Sequence, residues 1–153
     1  MANTITLDEV VKNAVREKQI GANNQVRVEQ FKTACTALIT EMRQWLNAHV
    51  EAKLVIPNAP QKVSISEFGI AYEADCWSFN IGAQRVDLRP RGTWVIGAYG
   101  RVDMIGYPGN LEILTLNEDF NWEISKRGKT KVTYSLLSEA NFPEALSRAL
   151  SIS

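Results

Sequence analysis

The spacing of apolar residues changes once along this 153-residue chain, and that change restricts the fold more than any other feature. Up to residue 53, apolar side chains recur every three or four positions, which is typical of one face of an α-helix. From Val63 onward they alternate with polar residues, which is typical of strands with one buried face. Pro57 and Pro60 separate the two patterns, because proline cannot donate a helical hydrogen bond. The chain is therefore predicted to be a single α+β domain over 1–153, with helices before an antiparallel sheet.

The helical part is predicted to be a hairpin of two helices, over 7–20 and 25–53. Thr6 and Glu9 have the spacing of a capping box, which places the start of the first helix at residue 7. The segment 21–24 combines a glycine with two turn-prone asparagines and predicts a break between the helices. The second helix carries a narrow apolar seam that either the sheet or a second copy of the chain must cover, so a homodimer through this seam is one prediction. The seam consists of Phe31, Cys35, Leu38, Met42, Trp45 and His49.

The segment 62–137 is predicted to form an antiparallel meander of about six to eight short strands, because strand-like runs alternate with short polar turns. The apolar positions change phase near Cys76, which predicts either a β-bulge or a strand buried on both faces. Gly97 and Gly100 predict a bend, a bulge or the close approach of another chain. Ser138 or Asn141 as the N-cap and Pro143 in the first turn predict a short closing helix over 141–151.

Composition narrows the classes of function. Lys plus Arg and Asp plus Glu are both 17, so the formal net charge is zero, whereas proteins that grip a nucleic acid backbone usually have a basic excess. No apolar run approaches the roughly 20 residues that span a bilayer, and the N-terminus lacks the pattern of a signal peptide. We therefore expect a cytoplasmic protein with no membrane partner. Cys35 and Cys76 are expected to be buried thiols, and no motif predicts a cofactor or a metal site.

Charged residues on two predicted strands form the most distinctive polar pattern. Strict alternation puts them on the face opposite the apolar residues, so they form one patch if the two strands are neighbours. The plain interpretation is a solvated set of cross-strand ion pairs. The functional one is an anchor for a partner's carboxylates, which the planar arginine fork suits, with nearby aromatic residues of the kind enriched at interfaces. The protein-binding candidates are Arg85, Asp87, Arg89, Arg101, Asp103, Trp94 and Tyr99.

Three hypotheses of function follow. The first is a non-enzymatic protein-binding module, such as a small bacterial inhibitor, immunity or chaperone-type protein. The alternative is a small-ligand-binding protein or enzyme with an apolar pocket between sheet and helices. The third, nucleic-acid binding through the basic hairpin over 126–131, is disfavoured by the neutral net charge. No catalytic residue is predicted, because no nucleophile lies beside a recognisable base. The pocket candidates of the alternative are Tyr72, Trp77, Trp94 and Tyr99.

Overall fold

The computed structural model describes residues 4–95, 97–107 and 109–150, apart from the side chains at 20, 21 and 127. It contains a long helix, an antiparallel sheet and a short C-terminal helix, which confirms the predicted α+β class. Residue 151, the predicted end of the last helix, lies outside the described residues. The elements are α1 (Leu7–Glu51), β1 (Val55–Pro57), β2 (Gln61–Glu67), β3 (Ile70–Ile81), β4 (Gln84–Gly92), β5 (Gly100–Gly106), β6 (Leu111–Leu116), β7 (Trp122–Arg127), β8 (Val132–Leu136) and α2 (Phe142–Leu150).

The predicted helical hairpin is instead one continuous helix of 45 residues. Its start agrees with the prediction, since the Thr6 hydroxyl accepts a hydrogen bond from the Glu9 backbone N–H at 3.3 Å. The expected break over 21–24 is absent. A glycine in a helix costs only about 1 kcal/mol relative to alanine, and asparagine costs less, so a helix anchored by packing further on can propagate through both.

The strand order is β1-β3-β4-β5-β6-β7-β8, and β2 also pairs with β3. The twelve-residue β3 pairs with β2 along its first part and with β1 and β4 along its second. From Pro57 to Gln61 the neighbouring chain advances four positions while β3 advances three, from Cys76 to Phe79. The extra residue is on the chain opposite β3, at the point where the buried positions of β3 change from Tyr72 and Ala74 to Trp77 and Phe79. The bulge is therefore not on β3 itself, and β3 buries side chains of both parities.

Both helices cover the same face of the sheet. Phe31, Leu38 and Met42 on α1 are at most 1% exposed, and Trp45 stacks on Phe142 of α2 with ring centroids 5.3 Å apart. The sheet therefore covers the apolar seam, whose buried side chains are not available to a second copy. His49, which was predicted on this seam, is exposed, because Leu46 and Val50 form the apolar side of the last turn.

Two glycines on β5 let the helices lie close to the sheet. A Cβ atom at Gly100 would lie 2.3 Å from Cδ1 of Phe31, so α1 packs directly on the backbone of β5. A Cβ atom at Gly106 would lie 1.9 Å from the carbonyl oxygen of Ala149 in α2. The close approach expected at Gly100 is thus made by a helix of the same chain.

The first part of α1 extends away from this core. Burial begins at Val28, whereas Leu7, Val11, Val15 and Val26 are all more than half exposed. We call residues 7–26 the arm. At 1.5 Å per residue the arm is about 30 Å long.

Candidate functional site

The predicted charged residues lie on neighbouring strands. β4 and β5 pair directly, with Arg89 opposite Asp103. Their alternate residues Val86 and Leu88 are buried in the core, so the charges occupy the sheet face that neither helix covers. We call this surface the charged face, and it consists of Arg85, Asp87, Arg89, Arg91, Arg101 and Asp103.

Asp103 is the centre of the charged face. Its side chain is 1% exposed, with Oδ1 2.7 Å from Nε of Arg101 and Oδ2 2.9 Å from Nε of Arg91. The two guanidinium groups satisfy the buried carboxylate, and both arginine side chains remain partly exposed. Sequence reasoning missed Arg91, although it follows Arg89 at the same two-residue step.

Asp87 is held in a similar way. Nε of Arg85 lies 2.8 Å from its Oδ1, and the Tyr107 hydroxyl donates to its Oδ2 at 3.0 Å. The hydrogen bond to this carboxylate raises the pKa of Tyr107 above its ordinary value. Tyr107 was not predicted at this site, since it lies beyond the end of β5 and no local pattern connects it with Asp87.

Arg89 is the exception on this face, because it makes no ion pair or hydrogen bond with any residue that the structure describes. It lines a cleft of about 250 Å³ between β2 and β4, together with Lys62 and Cys76. Lys62 already pairs with Asp75 at 3.5 Å. The cleft therefore places an arginine without an acidic partner beside charges that are already neutralised.

Trp94 follows β4 on a loop that Glu67 holds in place. The carboxylate of Glu67 accepts hydrogen bonds from the backbone N–H of Thr93, at 2.9 and 3.0 Å, and from the Thr93 hydroxyl. Trp94 is 78% exposed and contacts Phe68, with ring centroids 5.2 Å apart. A large aromatic side chain is thus presented to solvent from a fixed backbone.

Arg27 of α1 holds both ends of the same loop. Its Nη2 donates to the carbonyl oxygens of Thr93 at 3.0 Å and Ala98 at 2.9 Å. Its guanidinium lies 5.1 Å from the centre of the Tyr99 ring. Sequence reasoning missed Arg27, because the contacts join residues about 70 positions apart.

The four predicted pocket residues lie in three parts of the structure. Trp77 is buried in the core and donates from Nε1 to the carbonyl oxygen of Asn58 at 3.1 Å. Trp94 and Tyr99 lie on the loop after β4. Of the four, only Tyr72 lines an open groove of about 940 Å³ beside α1.

One wall of this groove is Phe120, whose backbone is held in an uncommon conformation. Its φ of 60° is in the left-handed region, which a bulky residue seldom adopts. The Asn117 side chain supports the turn by accepting hydrogen bonds from the backbone N–H groups of Asp119 and Asn121, both at 3.0 Å. The Phe120 ring, 39% exposed, lies against Tyr99. Backbone strain is thus tolerated where an aromatic ring faces the groove.

Two cysteines and Asp75 are the other side chains with reactive groups considered at this site. Cys35 and Cys76 are free thiols. Asp75 accepts a hydrogen bond from the Thr36 hydroxyl at 2.7 Å and pairs with Lys62. Over the described ranges, no group of three or more His, Cys, Asp or Glu side chains lies close enough together to hold a metal ion. Within those same ranges, neither helix is long and apolar enough to cross a membrane.

Three comparisons with known proteins gave no match: no protein-family model, no curated protein and no solved structure matches this chain. The charged face, the Trp94 loop and the groove are the candidate functional surfaces of this chain.

Proposed function

We propose that this chain is a non-enzymatic protein-binding module that recognises an acidic surface on its partner through the charged face. The observation that carries the proposal is Arg89, an arginine with no acidic partner among the described residues, on a sheet face that neither helix covers. The face has four arginines and two aspartates, so it keeps an excess of two positive charges after its own ion pairs. A carboxylate from a partner would complete the arrangement with a bidentate hydrogen bond.

Trp94 is the second anchor of the proposed interface. It follows Arg91 by three residues, so their Cα atoms are within about 11 Å of each other. Glu67 and Arg27 hold the loop before any partner binds, which reduces the entropy lost on association. An exposed tryptophan beside arginines has the composition of an interface hot spot. A small inhibitor, immunity or chaperone-type protein would use a surface of this kind.

The test is affinity capture from a lysate of the native cell, followed by measurement of binding to the purified partner. Arg89→Glu and Trp94→Ala should each weaken binding by roughly tenfold or more. Neither change removes an internal ion pair, so both variants should keep their fold. Lys129→Glu, on the exposed hairpin away from the charged face, is the matched control for charge and should leave binding unchanged.

The chemistry of the partner is tested by salt. Binding of an acidic surface should weaken as ionic strength rises, and Arg89→Glu should flatten that dependence. A partner that binds Arg89→Glu and the unchanged chain equally would remove the charged face from the proposal. Loss of binding in Lys129→Glu alone would instead favour the basic hairpin over 126–131.

A further inference from the structure

The described side chains of the arm are exposed on every side of α1, apart from the half-buried Asn24, and one face of the helix continues along the groove. Val11 and Val15 on the arm are 54% and 58% exposed, and no part of the described chain covers them. The same helix face continues past Val26 as the floor of the groove beside Phe120. The arm positions of this face are Val11, Val15, Lys18 and Ala22, and the groove positions are Val26, Gln30, Thr33 and Ala37.

The arm positions and the groove positions have the same spacing, so they can face each other when two copies of α1 run in opposite directions. Both advance along the helix by four, three and four residues, the spacing with which helix faces interlock. Two α1 helices can pair antiparallel about a twofold axis near residue 24. Val15 of one copy then faces Thr33 of the other, and Ala22 faces Val26. Val11 then meets Ala37. Because the axis is twofold, each contact occurs twice.

The charges agree with this alignment. Lys18 of one copy lies beside Gln30 and Glu29 of the other, on the same flank of the helix pair. Glu29 is 71% exposed, and its ion pair with Lys32 spans 3.6 Å within the same helix. Exposed pairs of this kind contribute little, so Glu29 can pair with Lys18 of the second copy at small cost.

The groove also has apolar walls for a docked helix. Ile70 and Tyr72 on β3 and Phe120 after β6 line it together with α1. These walls lie on the helix side of the sheet, opposite the charged face. A second copy in the groove therefore leaves the charged face free for a different partner.

We infer that two copies of this chain pair through α1, with the arm of each lying antiparallel in the groove of the other. The inference does not depend on the proposed function, since it uses the opposite side of the sheet. A failure of either one leaves the other intact, because self-association and partner capture are measured separately.

Disulfide trapping between separately purified full-length variants tests the alignment. A Val15→Cys variant mixed with a Thr33→Cys variant should form a disulfide-linked dimer of the two chains on mild oxidation. Within one chain these positions are about 27 Å apart on the helix, too far for a disulfide. Val10→Cys mixed with Thr33→Cys is the control, because Val10 is on the arm but about 110° around the helix from the mean direction of Val11, Val15, Lys18 and Ala22. Equal yields from both mixtures, or no product from either, would overturn the inference.

Sedimentation equilibrium tests the charge pairing. Lys18→Glu should raise the dissociation constant of the dimer by roughly tenfold, since two symmetry-related contacts become repulsive. Adding Glu29→Lys to that variant should restore the original value. Val10→Glu is the control and should leave association unchanged. A chain that stays monomeric at all accessible concentrations, or a double variant no tighter than Lys18→Glu, would contradict the pairing.

Discussion

The arm and the second part of α1 belong to one helix and have different surroundings. Along the arm, Val11 and Val15 are exposed, whereas Phe31 and Met42 further on are fully buried by the sheet. Both parts place apolar residues at steps of three and four. Helical spacing therefore identifies an apolar face without identifying what covers it. The two parts should differ sharply in their response to substitution.

The largest expected difference is in folding stability. Phe31→Ala should lower the free energy of unfolding by about 3–5 kcal/mol, because it leaves a cavity between α1 and the sheet. Val10→Ala on the arm should change it by less than about 0.5 kcal/mol. Urea denaturation followed by tryptophan fluorescence measures both. Similar losses for the two variants would mean that the arm is as tightly packed as the second part of the helix.

A smaller effect is expected where β5 receives α1. Gly100→Ala should cost about 1–3 kcal/mol, since the new Cβ would overlap the Phe31 ring. Replacing the ring with the smaller leucine side chain in Phe31→Leu should relieve part of that cost. The double variant should therefore lose less unfolding free energy than the two single variants lose in sum. Strict additivity in this double-mutant cycle would show that Phe31 and Gly100 are not in contact.

Arg27 marks the boundary between the two parts of α1. Arg27→Ala should lower stability by about 1–2 kcal/mol, because the carbonyl oxygens of Thr93 and Ala98 lose their donor. Hydrogen exchange should become faster in the loop that carries Trp94. Arg16→Ala is the control, because Arg16 is on the arm and has no contact with the loop; it should leave exchange in that loop unchanged. Unaltered exchange after Arg27→Ala would mean that Glu67 alone fixes the loop.

The last expected effect is absent at neutral pH and appears only in alkaline solution. Burial, and to a lesser degree the charge of Asp75, raises the pKa of the Cys35 thiol far above its ordinary value of 9.0. Above about pH 9 the unfolded chain loses this proton while the folded chain keeps it, so stability falls as pH rises, by at most about 1.4 kcal/mol per pH unit. Below pH 9 this contribution is constant.

Cys35→Ala should remove that part of the alkaline slope in denaturation measured from pH 8 to 10.5. The same burial should protect the thiol from iodoacetamide, whereas a cysteine introduced at Val10 on the arm should react at once. Rapid labelling of Cys35 in the folded chain would show that the second part of α1 opens readily.

Local sequence rules predicted several elements because the physics behind them is local. The cap at Thr6 and the alternation along β4 and β5 follow from spacing alone. The pairing of β4 with β5, which joins their charges into one face, was left open by the sequence. The break predicted over 21–24 was wrong, because weak local preferences for a turn yielded to propagation of an anchored helix. Arg91 lay within the same pattern as Arg89 and was overlooked. Arg27 and Tyr107 had no local signal, since their partners are distant in the chain.

The sequence by itself determined the α+β class, the order of helix and sheet, and the residues that share a face of each strand. Side-chain direction along a helix or strand repeats with a fixed period, so the order of apolar and polar residues shows which side chains share a face. Only the tertiary structure decided that the sheet covers Phe31 and Met42 while the arm stays exposed, and that Arg89 alone on the charged face makes no ion pair with the described residues. Those outcomes depend on which distant segments meet, and periodicity does not encode that choice.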